Sequence, residues 1–159
     1  MTMILKIILV GAGATIAVDI WVFILNIFKI KSLDYRYVGR WIANFPQGKF
    51  FHNNIMNTLP VKGELFLGWT AHYLIGITFA FLLIIFYGEV WLVKPTLGPA
   101  IIIGVITAVA PLFIMQPAFG FGMGSSKLSN PNMRRIKSLL THLVYGIGLY
   151  LTALLLKEV

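Results

Sequence analysis

Three ionisable residues that could do chemistry lie within stretches of the chain that are apolar enough to cross a bilayer. They are Asp19, His72 and His142, and each histidine is followed four residues later by a glycine, Gly76 or Gly146. An ionisable side chain is costly in hydrocarbon, so its presence there indicates a functional site by default. A carboxylate and two imidazoles can exchange protons, bind a small molecule or coordinate a metal ion.

The positions of these residues along their helices predict similar depths in the membrane. At a rise of about 1.5 Å per residue, Asp19 lies roughly 14 Å from the nearer end of its span, His72 roughly 12 Å and His142 roughly 9 Å. Small or polar residues share their helix faces at regular spacing, which allows close helix packing, so these faces are expected to meet other helices rather than lipid. The faces comprise Gly11, Thr15, Asp19 and Asn26; Glu64, Gly68, His72, Gly76 and Ala80; and Ser138, His142, Gly146 and Tyr150.

The candidate residues for binding a ligand or a proton are Asp19, His72, His142, Gln116 and Thr15. One interpretation is a structural hydrogen-bond network, although such bonds average under about 1 kcal/mol within membranes. A second is proton-linked transport, in which a carboxylate and histidines exchange protons for a substrate. A third is a metal or catalytic centre built from Asp19, His72 and His142. No metal site is predicted, because neither histidine has a second ligand at i+3 or i+4 on its helix.

The elements that must position these residues are transmembrane helices. The chain has 159 residues, of which 58% are hydrophobic and 11% charged. Four segments approach the roughly 20 apolar residues that a spanning helix needs. The predicted fold is therefore an all-α polytopic membrane protein, with residues 1–159 as a single integral membrane domain and its four helices arranged as two hairpins. The predicted spans are residues 4–28, 64–86, 96–115 and 136–156. The first is not expected to be a cleaved signal peptide, because its apolar run is too long.

The net charge of +8 predicts the orientation of these spans. Ten of the 13 basic residues lie in the loop after the first span or in the region before the fourth, and three lie on the opposite side. The positive-inside rule therefore places both long loops in the cytoplasm and both termini outside. Because insertion explains these charges, we expect no nucleic-acid partner. Without cysteines, the chain can form neither a disulfide nor a thiolate metal site.

Two basic segments are candidates for binding a lipid headgroup or a phosphate. Residues 32–45 combine aromatic, aliphatic and basic residues, including Arg40, and predict a short amphipathic segment on the cytoplasmic side. Glycines and serines at 120–126 precede Lys127, with Arg134 and Arg135 nearby. Backbone amides of such a loop can cradle an anion, although the P-loop order of residues is absent.

Prolines predict an irregular third span. Pro111 and Pro117 lack the backbone donor that a regular helix uses, so the helix is expected to kink or unwind there. Broken helices often form binding sites in transport proteins, while an ordinary proline kink is the simpler explanation.

Several short motifs resemble a bacterial membrane family catalogued as domain of unknown function 2938. They are Gly39-Arg40-Trp41, Gly68-Trp69 with His72-Tyr73, Met115-Gln116-Pro117-Ala118, and His142 followed by Gly146-Ile-Gly-Leu-Tyr150. The similarity extends over almost the whole chain. It implies a small integral protein of the bacterial inner membrane and brings no substrate, cofactor or catalytic residue.

The leading functional hypothesis is transport or binding of a small polar or lipid-like molecule at the intramembrane Asp/His residues. The first alternative is a membrane-embedded enzyme acting on a lipid headgroup or quinone, using those residues with Arg40, His52 or Arg134. The second is a non-catalytic accessory subunit of a membrane complex. We predict no cofactor, contacts with membrane lipids, and a homo-oligomer, because four helices leave little room for an aqueous path within one copy.

Overall fold

The computed structural model describes residues 1–157, which form helices joined by turns and contain no strand. Seven α-helices and one π-helix occur within this part of the chain. The α-helices are α1 (Met3–Ile27), α2 (Tyr35–Ala43), α3 (Glu64–Tyr87), α4 (Val90–Val93), α5 (Leu97–Thr107), α6 (Gln116–Ala118) and α7 (Pro131–Leu155). Single 3₁₀ turns lie at Phe45–Gln47, Ile55–Asn57 and Met123–Ser125.

Four helical stretches are long and apolar enough to cross a membrane, which confirms the number of spans expected from the sequence. They are Met3–Ile27, Glu64–Tyr87, Leu97–Ala118 and Pro131–Leu155. The fourth begins five residues earlier than predicted. Proline is compatible with the first turn of a helix, and the polar turn that follows Pro131 is invisible to a hydropathy criterion.

The third span is irregular at the predicted place. A π-helix over Ala110–Met115 separates α5 from α6, and Pro111 is its second residue. A proline cannot donate to the carbonyl four residues earlier, and a π turn is one way for a helix to absorb such a defect. The chain thus keeps a helical path through Pro111 rather than unwinding.

By its internal contacts the chain divides into two compact units. Unit 1 comprises Met1–Lys31, Tyr73–Thr107 and Leu139–Val159. Glycines allow close helix contacts there: a Cβ at Gly11 would lie 2.6 Å from the Ile77 Cα, and one at Gly104 would lie 2.6 Å from the His142 carbonyl oxygen. Its buried core is formed by Ile7, Val10, Ala14, Val18, Ala80, Leu83, Trp91, Leu92, Ala100, Ile103, Tyr145, Leu149 and Ala153.

Unit 2 comprises Ser32–His72 and Ala108–Ser138. Helix α2 begins at an Asp34 cap, whose carboxylate accepts from the backbone amide of Arg36. Helix α2 contacts the start of α3 very closely, because Gly39 touches the Glu64 backbone and Gly68 touches the Tyr35 backbone. The buried core of unit 2 is formed by Val38, Ile55, Ala71, Phe119 and Phe121.

Candidate functional site

Asp19, the intramembrane acid, accepts a hydrogen bond from a neighbouring span. The Tyr73 hydroxyl on α3 donates to Asp19 Oδ2 on α1 at 2.8 Å, and both residues belong to unit 1. The carboxylate is half-buried. A hydroxyl donor stabilises a carboxylate without cancelling its charge, so the pair joins two spans through a polar contact.

His142 is held by a hydroxyl on α5, also within unit 1. Thr107 Oγ1 lies 3.0 Å from His142 Nδ1 and 2.7 Å from the Gly104 carbonyl oxygen, to which it donates. The Phe79 ring lies beside the imidazole, with the two ring centroids 6.4 Å apart. This arrangement fixes the orientation of the imidazole on the packed side of α7.

Thr15 lies at the closest contact between α1 and α3. Its buried hydroxyl donates to the Gly11 carbonyl at 2.8 Å, and a Cβ at Gly76 would overlap that hydroxyl. The buried Tyr145 hydroxyl donates to the Gly76 carbonyl. Thr15 therefore helps to pack the helices that carry Asp19 and Tyr73, and its hydroxyl hydrogen is already used.

His72 belongs to unit 2, where it packs in an aromatic cluster. Tyr35 Oη lies 3.1 Å from His72 Nε2, and the two ring centroids are 4.3 Å apart. The Trp69 ring contacts both, at centroid distances of 4.7 Å from Tyr35 and 5.7 Å from His72. Rings at these distances are in mutual contact, so the cluster leaves no ring-sized gap for a ligand between them.

Gln116 contacts the glycine-rich loop of unit 2. Its Oε1 accepts from the Ser125 hydroxyl at 2.9 Å, and Ser125 has a φ of 60°. Backbone carbonyls already accept from several amides of this loop, including those of Phe121 and Lys127. The expected anion-binding nest therefore has fewer available backbone donors than the sequence suggested.

Arg40 lies in a buried ion pair rather than at an exposed headgroup position. Its Nε and Nη2 donate to the two carboxylate oxygens of Glu64, each at 2.8 Å, and Nη1 donates to the carbonyls of Ile55 and Thr58. The Glu64 carboxylate raises the pKa of Arg40 through this hydrogen bond. Only 6% of Arg40 is exposed, and four of its five N–H donors are used. The role that we assign to Arg40 is therefore to join α2, the 55–58 turn and α3.

The other cationic candidates differ in exposure. Lys127 and Arg134 are exposed, although Arg134 Nε donates to the Ser129 carbonyl at 2.9 Å. Arg135 is half-buried and donates to the Gly124 carbonyl and to Asn132. Arg134 and Arg135 thus stabilise the loop before α7, while Lys127 is exposed.

His52 lies in unit 2 with one ring nitrogen partnered. Its Nδ1 lies 3.2 Å from Thr58 Oγ1, while its buried Nε2 has no hydrogen-bond partner among residues 1–157. Burial, and secondarily the positive charge of Lys49, lower the pKa of His52.

The three ionisable residues singled out in the sequence have hydroxyl partners that the sequence did not identify. The partners Tyr73, Thr107 and Tyr35 lie 54, 35 and 37 positions along the chain from the residues that they contact, so no local spacing could have indicated them. Within residues 1–157, no three His, Asp or Glu side chains are grouped so that they could hold a metal ion. Each of the three ionisable residues thus has a hydroxyl neighbour within its own unit.

Comparison with known proteins identifies a family and no function. The model of a family described as a protein of unknown function (DUF2938) matches residues 8–156. No curated protein and no solved structure matches the chain.

Proposed function

Because this chain belongs to the DUF2938 family of unknown function, we propose its function from its own residues: binding, and transport across the bacterial inner membrane, of a small polar or lipid-like molecule. The observation that carries the proposal is the hydrogen bond from the Tyr73 hydroxyl to Asp19. A half-buried carboxylate in an apolar span is a costly feature, and a ligand or a proton that binds there would explain it.

The chemistry of unit 1 favours a ligand that donates hydrogen bonds or carries positive charge. Its Asp19 carboxylate is an acceptor when ionised, and it lies in a 25-residue helix whose one basic residue, Lys6, is in the second turn. Opposite charge attracts strongly where water is scarce. The proposed cargo is therefore a proton, an amine or a hydroxyl-bearing molecule, in preference to an anion.

The proposed arrangement in the membrane follows from charge and size. In this proposal the four spans form two hairpins, both basic loops lie in the cytoplasm together with α2, and both termini lie outside. Four helices in 17.8 kDa leave little space for an aqueous path. A homo-oligomer would supply that space at a site shared between copies, and membrane lipids would cover the remaining apolar surface.

A binding screen with a matched pair of Asp→Asn variants tests the proposal. Purified protein in lipid nanodiscs is mixed with lipophilic amines, alcohols, quinones and headgroup analogues at about pH 6 and about pH 8, on either side of the ordinary histidine pKa. An increase in Tm reports binding. We expect a class of compounds that stabilises the wild type in a pH-dependent manner and loses this effect in Asp19→Asn.

The control is Asp34→Asn, because asparagine caps a helix as well as aspartate does and Asp34 lies at the α2 cap. This variant is expected to bind like the wild type. Binding that is unchanged by Asp19→Asn would contradict the proposal. Chemical conversion of a screened compound would favour the enzyme alternative, and stable co-purification with a larger complex would favour the accessory-subunit alternative.

A further inference from the structure

The hydrogen bonds around His142 determine which of its ring nitrogens carries hydrogen. The Thr107 hydroxyl has one hydrogen, which it donates to the Gly104 carbonyl at 2.7 Å. Its contact with His142 Nδ1 at 3.0 Å is then a hydrogen bond only if Nδ1–H is the donor.

A ring protonated on Nδ1 presents a lone pair on Nε2. Within residues 1–157, the side-chain hydrogen bond that holds the His142 ring is made at Nδ1, and Nε2 is not among the fully buried atoms that lack a partner. Protonating Nε2 as well would place a positive charge in an apolar span, which is costly. The new N–H would also lack an acceptor among residues 1–157. The imidazole is therefore neutral, and Nε2 is an acceptor whose donor must come from outside the described residues.

We infer that His142 Nε2 accepts a hydrogen bond from the hydroxyl or N–H group of a lipid-soluble ligand, with Thr107 as the residue that positions the ring. The Phe79 ring beside the imidazole provides an apolar contact for the ligand's hydrocarbon part. This inference rests on the proposed function and narrows it to ligands that combine an apolar body with a hydrogen-bond donor. A molecule that offers only acceptors would leave Nε2 unpaired.

The first test is nitrogen NMR of protein labelled with ¹⁵N-histidine in nanodiscs. The chain has three histidines, so the spectrum of His142→Asn identifies the His142 signals by their absence. We expect a protonated Nδ1 and an unprotonated Nε2 for His142. In Thr107→Val, which has nearly the same shape, we expect a mixture of the two tautomers. A protonated Nε2 in the wild type would overturn the inference.

The second test compares two probes, 1-naphthol and 1-methoxynaphthalene, which differ in having or lacking a hydroxyl donor. One net hydrogen bond predicts about fivefold tighter binding of naphthol. His142→Phe should remove this preference, His142→Gln should keep part of it because its amide oxygen accepts, and Thr107→Val should reduce it. An equal preference in the wild type and His142→Phe would refute the role of His142.

The two proposals fail in different ways. If Asp19→Asn abolishes ligand binding while the naphthol preference is absent, the proposed function stands and the role of His142 is wrong. If the naphthol preference depends on His142 while Asp19→Asn binds every compound normally, the acceptor role of His142 stands and the role of Asp19 is wrong.

Discussion

Hydroxyl groups contact all three of the ionisable side chains that the sequence identified as candidate site residues. Tyr73 donates to Asp19, Thr107 contacts His142, and Tyr35 contacts His72. A hydroxyl can accept or donate by rotating, so it suits a side chain that gains or loses a proton. The Tyr73 and Tyr35 hydroxyls can adapt in this way, whereas the Thr107 hydroxyl already donates to the Gly104 carbonyl and holds His142 in one orientation.

Tyr73→Phe removes one such partner with little change in shape. Because intramembrane hydrogen bonds contribute modestly, we expect the free energy of unfolding to fall by about 0.5–1.5 kcal/mol. Equilibrium unfolding in mixed micelles measures this. A loss of several kcal/mol would mean that the pair is mainly structural.

Removing one partner of the buried Arg40–Glu64 pair is expected to lower the free energy of unfolding much more. Removing one partner leaves an uncompensated buried charge, so Arg40→Met should lower the free energy of unfolding by about 3–5 kcal/mol, and Glu64→Leu by a similar amount. In the double variant Arg40→Met/Glu64→Leu, the loss of unfolding free energy should be smaller than the sum of the losses in the two single variants. Strictly additive losses in this double-mutant cycle would contradict a coupled pair.

His52 predicts a pH dependence of stability in unit 2. Burial lowers its pKa in the folded protein below the ordinary value of about 6.5, so on acidification the unfolded chain binds a proton first. The stabilisation is therefore complete above about pH 7 and decreases as the pH falls through the folded pKa. We expect the Tm to fall from about pH 8 to about pH 5.5, and to fall less in His52→Gln. An identical fall in both proteins would show that other groups are responsible.

At the scale of the helices, glycines set the closest contacts. Gly76→Ala would place a methyl group on the Thr15 hydroxyl, so this variant should be clearly less stable. Adding Thr15→Ala removes the overlapping atom and should recover part of the loss. These free energies of unfolding can be measured in mixed micelles.

Gly98→Ala is the matched control, because no atom lies within 4 Å of the added Cβ and α5 continues through this position. The Gly98→Ala variant should be as stable as the wild type or more stable, by up to about 1 kcal/mol, because alanine has a higher helix propensity than glycine. Equal destabilisation by Gly76→Ala and Gly98→Ala would show that glycine packing is not the cause.

The helices themselves were predictable, whereas their pairings were not. Length and hydropathy suffice for four spans because a bilayer fixes both, and Pro111 marked the irregular turn. Arg40 pairs with Glu64, which lies 24 positions later in the chain, and Asp19 pairs with Tyr73, which lies 54 positions later. No local pattern encodes such contacts, so the mixture of aromatic, aliphatic and basic residues at 32–45 could not indicate that Arg40 pairs with Glu64.

At the scale of the whole molecule, the proposed orientation can be tested because the chain has no cysteine. Lys49→Cys, Lys94→Cys and Lys127→Cys place single thiols at exposed positions. We expect an impermeant maleimide added to intact cells to label Lys94→Cys and to spare the other two. The opposite labelling would invert the proposed topology.

The transport of a compound found by the nanodisc screen tests the central claim most directly. Proteoliposomes containing the wild type, Asp19→Asn or Asp34→Asn are compared for uptake of that compound under a pH gradient. The account predicts uptake by the wild type and Asp34→Asn, and a loss of at least about tenfold in Asp19→Asn, the effect of removing about 1.4 kcal/mol of differential binding. Wild-type uptake by folded Asp19→Asn protein would contradict it.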